Sequence, residues 1–89
     1  MARLPKNARL ETRAARARLS ARRQPYWRQI HSGLFVGYRK GKTSGVWIAR
    51  QLQGKRYREA VIGRADDYQD ADGEQCLNYR QAIGRVQLS

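Results

Sequence analysis

Three short segments in the middle of the chain have the residue patterns of β-strands. Residues 33–39 and 46–52 alternate with a period of two, and residues 56–62 are rich in β-forming residues toward their end. Because turn-rich segments containing glycine separate them, we expect an antiparallel meander of three strands. The alternation in residues 46–52 does not show which face is inside.

A C-terminal helix is predicted from Tyr79 to about Val86, where apolar residues recur at helical spacing. Asn78 and Gln81 fit a capping box at its start. The predicted fold class is therefore α+β, a three-stranded antiparallel β-sheet packed against one C-terminal α-helix. Because no Gly or Pro stops the helix after Val86, we expect the chain to be part of a longer protein.

The N-terminal segment is rich in alanine and arginine and has no aromatic residue before Tyr26. We expect a basic N-terminal tail over residues 1–25, disordered at its start and with a short helix that Thr12 caps and that runs to about Ala21. Pro25 marks the predicted boundary, and residues 26–89 form the predicted domain, which begins with an extended aromatic segment. Trp27 and Trp47 are expected in the core.

Charge is distributed unevenly along the 89 residues, whose formal net charge is +12. Residues 1–58 carry +15 and residues 59–89 carry −3. A localised positive field favours a polyanionic partner, above all nucleic acid. A solvated or membrane-surface segment, or an organellar transit peptide, has similar composition. The apolar runs are shorter than the roughly 18 residues of a membrane helix, and a single cysteine favours the cytoplasm.

The residues with catalytic potential are few. His31 is the only histidine and lies in a predicted turn, and Cys76 reads as a small apolar residue near the helix start. The acidic segment 64–74 superficially suggests a calcium loop, but aligning Gly73 with the loop glycine puts Tyr68 and Tyr79 at the first and last loop positions, where acids are needed. We therefore expect no catalysis by this chain, no bound metal and no cofactor.

Basic residues cluster on the predicted sheet and its turns, where a β-ribbon narrow enough for a DNA major groove would present them to base edges and phosphates. The Arg-rich tail is expected to follow the backbone or the adjacent minor groove. The candidate DNA-binding residues are Arg39, Lys40, Lys42, Arg50, Lys55, Arg56, Arg58, Arg22, Arg23 and Arg28.

Several motifs between residues 26 and 86 occur together in one order: PYWRQI, GLFVGYRKGKTSGVWIARQ, GKRYREAVIGRADDY, DADG and LNYRQA. This set resembles the N-terminal arm-type DNA-binding domain of phage and integrative-element tyrosine recombinases, the integrases. The resemblance implies a three-stranded sheet on a C-terminal helix, with the sheet inserted in the major groove of arm-type attachment sites, in support of site-specific recombination by a full-length protein. It also implies contacts with neighbouring integrase protomers or a directionality factor.

The resemblance does not extend to catalysis, because the His-x-x-Arg motif of the recombinases is absent: Ser32, Gly33 and Leu34 follow His31. We expect a DNA-binding module located in the cytoplasm, on the nucleoid when bound to DNA. Two alternatives remain open at this point. One is a small basic protein that binds RNA or associates with ribosomes, and the other is a protein-interaction domain that docks through the acidic loop and short helix.

Overall fold

The alternating segments form an antiparallel meander, as predicted, within a larger sheet. A computed structural model describes residues 9–88. The three predicted strands are β2 (Leu34–Lys40), β3 (Gly45–Gln53) and β4 (Arg56–Ala65). The structure adds β1 (Tyr26–His31) on one side and β5 (Cys76–Leu77) on the other. The strands lie in chain order, with β1–β4 antiparallel and β5 parallel to β4.

The prediction of three strands was therefore wrong in number, although the fold is α+β. β1 corresponds to the aromatic segment predicted as extended, and its pairing with β2 makes it an edge strand. β5 has two residues, too few for a periodic pattern to reveal. Register irregularities between Gln29 and His31 and between Trp47 and Ile48 accompany the curl of this mixed sheet into a half-barrel.

Two helices flank the sheet. α1 (Arg13–Ala17) begins at the predicted cap, where Thr12 Oγ1 accepts the backbone N–H of Ala15 at 3.0 Å, but it ends before the predicted Ala21. α2 (Tyr79–Leu88) confirms the C-terminal helix. Its capping box is reciprocal: Gln81 N donates to Asn78 Oδ1 at 2.8 Å, and Asn78 N donates to Gln81 Oε1 at 3.0 Å.

The hydrophobic core lies between α2 and the sheet face that we call the helix face. Trp47 is fully buried there, as predicted, and its Nε1 donates to the carbonyl of Leu77 at 2.7 Å. The Tyr38 ring lies 5.4 Å from it, centroid to centroid. The prediction for Trp27 was wrong, because this half-buried residue pairs with Gly37 on the opposite face, which we call the outer face.

The N-terminal segment is packed onto the same core. Leu10 is fully buried, and the Arg16 side chain is 1% exposed, within 5.1 Å of the Trp47 ring centroid. Arg16 Nε donates to Asp67 Oδ1 at 3.0 Å, and Arg16 Nη2 donates to Asp66. Arg16 thus ties the helix of the predicted tail to the end of β4. Residues 1–8, where disorder was expected, lie outside the described residues.

Candidate nucleic-acid interface

The outer face is defined by cross-strand rows, because directly opposed residues in an antiparallel sheet point to the same side. One row contains Phe35, Arg50 and Glu59. The neighbouring rows contain Gly37, Ile48 and Val61, then Arg39, Val46 and Arg64, and on the other side Leu52 and Tyr57. The register therefore settles the parity of the second predicted strand: Arg50 points away from the helix.

Arg50 is held in a frame of aromatic rings at the centre of this face. Its guanidinium carbon lies 4.2 Å from the Tyr57 ring centroid, 5.4 Å from that of Trp27 and 5.9 Å from that of Phe35. Contacts of this length are within the range of cation–π attraction. The rings leave 34% of the Arg50 side chain exposed. Arg50 is thus a cation whose position is fixed before any partner binds.

The hydrogen-bonding capacity of Arg50 is incompletely used. Its Nε lies 3.7 Å from Glu59 Oε2, an ion-pair distance that is too long for a hydrogen bond. Within residues 9–88, this buried Nε has no hydrogen-bond partner. A buried donor without an acceptor costs about 1–3 kcal/mol. A buried group left unsatisfied in this way calls for an explanation.

Gly37 is what allows Trp27 to stand beside Arg50. A Cβ at position 37 would lie 2.5 Å from Trp27 Cζ3, closer than carbon atoms approach in folded proteins. The indole therefore lies against the backbone of β2. In the sequence, Gly37 looks like an interruption of the strand GLFVGYR. In the structure, Gly37 makes room for an aromatic ring from the neighbouring strand.

Positive charge extends along the outer face. Arg39 and Arg64 are exposed on either side of Val46, and Lys42 is exposed in the β2–β3 hairpin beside this end of the sheet. Among the described residues, Glu59 is the only acid that β1–β4 place on this face. The face therefore combines several cations with one carboxylate, which is itself near a cation.

The β3–β4 hairpin carries three further candidate residues. Lys55 lies in its two-residue turn, and Arg56 and Arg58 follow on β4, all exposed. Arg56 pairs with Gln53 and Arg58 with Gln51, so both arginines are on the helix face and not beside Arg50. The structure thus divides the predicted basic cluster between the two faces of the sheet.

Three other candidates have internal contacts. Lys40 Nζ donates to the carbonyls of Arg16, Ala17 and Leu19 at 2.7–3.1 Å, where it compensates carbonyls at the C-terminus of α1 and in the turn after it. Arg28 pairs with Glu11. The Arg22 guanidinium lies 3.6 Å from the Tyr26 ring centroid and donates to the carbonyls of Gln24 and Pro25. Arg23 is exposed.

Sequence reasoning missed four residues of the outer face: Arg64, Trp27, Phe35 and Tyr57. Arg64 follows a register irregularity in β4, which simple alternation cannot place. Trp27 was expected in the core, because its hydrophobicity favours burial. Phe35 alternates with Leu34 and Val36, so the alternation was the available signal that Phe35 belongs on the face opposite the core.

The acidic segment that follows β4 has structural contacts. Asp67 Oδ2 accepts the hydroxyl of Tyr38 at 2.6 Å and the N–H of Gly45 at 3.0 Å. Burial, with help from Asp67, raises the pKa of Tyr38 above its usual range. Three backbone N–H groups, those of residues 74–76, donate to Asp72 Oδ1 and lower the pKa of that carboxyl. Burial, with the charges of Asp66 and Asp72, raises the pKa of Cys76.

Comparison of the chain with models of protein families, with curated proteins and with solved structures finds no match. Among residues 9–88, no helix is long and apolar enough to span a membrane. No group of three or more His, Cys, Asp or Glu side chains in that range is arranged to hold a metal ion.

Proposed function

We propose that the chain is a double-stranded DNA-binding module that inserts the outer face of its sheet into the major groove. The observation that carries the proposal is Arg50, a partly exposed cation fixed by three aromatic rings and incompletely hydrogen-bonded. The forked donors of an arginine match O6 and N7 of guanine, the commonest specific contact in the major groove.

The central part of the outer face, on β2–β4, has dimensions that suit this partner. Neighbouring strands lie about 4.8 Å apart, so Phe35, Arg50 and Glu59 span about 10 Å across three strands. The major groove of B-DNA is about 12 Å wide. Arg39, Arg64 and Lys42 then lie toward one end of the inserted face, where phosphates are in reach. Such contacts position a protein on DNA, while the central arginine carries sequence information.

The resemblance to integrase arm-binding domains supports the same proposal, with arm-type attachment sites as the target of the parent recombinase. In that proposal the exposed Lys55 and Arg23 contribute phosphate contacts. Lys40, Arg28 and Arg22 contribute less, because their charged groups are engaged within the protein. Arg56 and Arg58 also contribute less, because they lie on the helix face.

The test begins with selection of bound sequences from a random duplex pool with the 89-residue protein. Affinity for the enriched duplex and for a scrambled duplex is then measured by fluorescence anisotropy at about 50 and 200 mM salt. We expect an enriched duplex that contains guanine and binds more tightly than the scrambled one at both salt concentrations.

Arg50→Lys tests the role of the arginine, since it keeps the charge and removes the fork. It should weaken binding to the enriched duplex by about tenfold or more and binding to the scrambled duplex much less. Arg80→Lys is the matched control, because Arg80 is an exposed residue of α2. Equal effects of the two variants, or a pool without enrichment, would contradict specific recognition by Arg50.

A second candidate function is single-strand binding, favoured by the exposure of the ring beside Arg50. Tyr57 is 45% exposed, and exposed rings stack on unpaired bases. Single-stranded DNA and RNA of the enriched sequence belong in the same titration. Tighter binding to either strand alone than to the duplex would favour this function over the proposed one.

A further inference from the structure

The outer face also presents apolar side chains to solvent on both sides of Arg50. Val61 is 59% exposed on one side, and Leu52 and Tyr57 are 42% and 45% exposed on the other. In a monomeric sheet, solvent-facing positions of this kind are ordinarily polar. The cations alone would satisfy phosphate binding, so the apolar residues require another explanation.

The placement of these residues follows from the register. Leu52 lies two residues beyond Arg50 on β3, and Val61 lies two residues beyond Glu59, the partner of Arg50 on β4. Two residues of a strand span about 7 Å, the distance of about two base-pair steps. Where Arg50 reaches a guanine, the apolar side chains therefore reach base pairs within about two steps on either side.

The major groove exposes one apolar group to such side chains, the C5-methyl group of thymine. We propose that Val61 and Leu52 read thymine methyl groups on either side of the guanine bound by Arg50, an inference that rests on the proposed function. The target is then thymine-containing duplex DNA. RNA, in which uracil lacks the methyl group, is a poorer ligand for this face.

Charge favours DNA over another protein as the occupant of the apolar positions. Arg39, Arg50 and Arg64 lie on the same face as Val61 and Leu52, and Glu59 is the one acid that β1–β4 place there within the described chain. An apolar partner surface would have to desolvate these cations, which is costly without compensating acceptors. A major groove offers acceptors, phosphates and methyl groups together.

The experiment compares the enriched duplex with the same duplex synthesised with deoxyuridine at every thymidine. This replacement removes the methyl groups and keeps the base pairs, the phosphates and the guanines. Burial of one methyl group contributes about fourfold in affinity, so loss of two should weaken binding about tenfold or more. The thymidine-to-deoxyuridine ratio of affinities is the measured quantity.

Alanine variants test whether Val61 and Leu52 cause the preference for the thymidine duplex. Val61→Ala and Leu52→Ala should each reduce the ratio, and the double variant should bring it close to one. Leu88→Ala is the matched control, because Leu88 is 88% exposed at the end of α2. It should leave the ratio unchanged.

The outcomes separate the two proposals. Specific binding with equal affinity for the two duplexes overturns methyl reading and leaves the proposed function standing. Absence of duplex binding overturns both. A protein that self-associates through this face, with Val61→Ala converting a dimer to a monomer that binds DNA no differently, would also overturn the inference.

Discussion

Replacing Arg16 by alanine should remove a large fraction of the stability of the domain. Its guanidinium donates to Leu10 O at 2.9 Å and to Asp67 at 3.0 Å, and it also pairs with Asp66. The side chain is 1% exposed and lies over the rings of Tyr38 and Trp47. The truncation leaves the two carboxylates, each 12% exposed, without their buried cation.

Removing one partner of a buried ion pair costs about 3–5 kcal/mol. At about 0.05–0.15 kcal/mol per residue, a domain of this size has a total unfolding free energy of about 4–13 kcal/mol. The loss is therefore a large fraction of the total, and the thermal midpoint should fall by about 10 °C or more. The stability of Arg16→Lys should lie between those of the wild type and Arg16→Ala, because one ammonium group keeps the charge but cannot reproduce the forked contacts.

Urea and thermal unfolding followed by circular dichroism measure these changes. Arg18→Ala, an exposed position next to α1, is the matched control and should change the unfolding free energy by less than about 0.5 kcal/mol. A loss below about 1 kcal/mol in Arg16→Ala, the size expected of a surface ion pair, would contradict the role of Arg16 as a buried tie. It would mean that the N-terminal segment does not form part of the core.

Two other substitutions probe local geometry. Gly37→Ala should displace Trp27, because the added Cβ would lie 2.5 Å from the indole. We expect the free energy of unfolding to fall by about 1–3 kcal/mol and the tryptophan emission to shift to the red. An unchanged spectrum and stability would contradict the close contact. Asp72→Asn should be less stable than the wild type at neutral pH, because the carboxylate accepts three N–H groups and its pKa is lowered in the folded state. A lowered pKa stabilises above the unfolded value of about 4 and ceases to do so as the pH falls through the folded value, so the difference in thermal midpoint should vanish in acid.

Periodicity was sufficient for the elements with enough residues to show it. The strands β2 and β3 and helix α2 each repeat an apolar pattern, and the capping box at Asn78 marks the start of the helix. β4 was found from its β-forming residues. β5 has two residues, and it pairs with β4 after the connection formed by residues 66–75. No local sequence pattern therefore predicts it. The burial of Arg16 in the N-terminal segment was not predicted, because an arginine is expected to be solvent-exposed unless its acceptors, here Asp66 and Asp67, are known.

The candidate site was predictable in part. Arg39 and Arg50 were found from composition and alternation, and the structure places both on the outer face. The aromatic frame was not found, because a tryptophan in an edge strand is assigned to the core unless the strand across from it is known to carry glycine. The separation of Arg56 and Arg58 from Arg50 required the register of β3 with β4, which hydrophobicity does not fix in a polar hairpin.

The two tryptophans report separately on the two faces of the sheet. Trp27 lies on the outer face beside Arg50, and Trp47 is buried on the helix face with its indole N–H bound to Leu77 O. The most direct test of DNA binding through the outer face is an NMR titration of both indole N–H signals with the enriched duplex. If the outer face binds DNA, the Trp27 signal shifts while that of Trp47 stays in place. A shift of the Trp47 signal with the Trp27 signal unchanged would contradict DNA binding through the outer face.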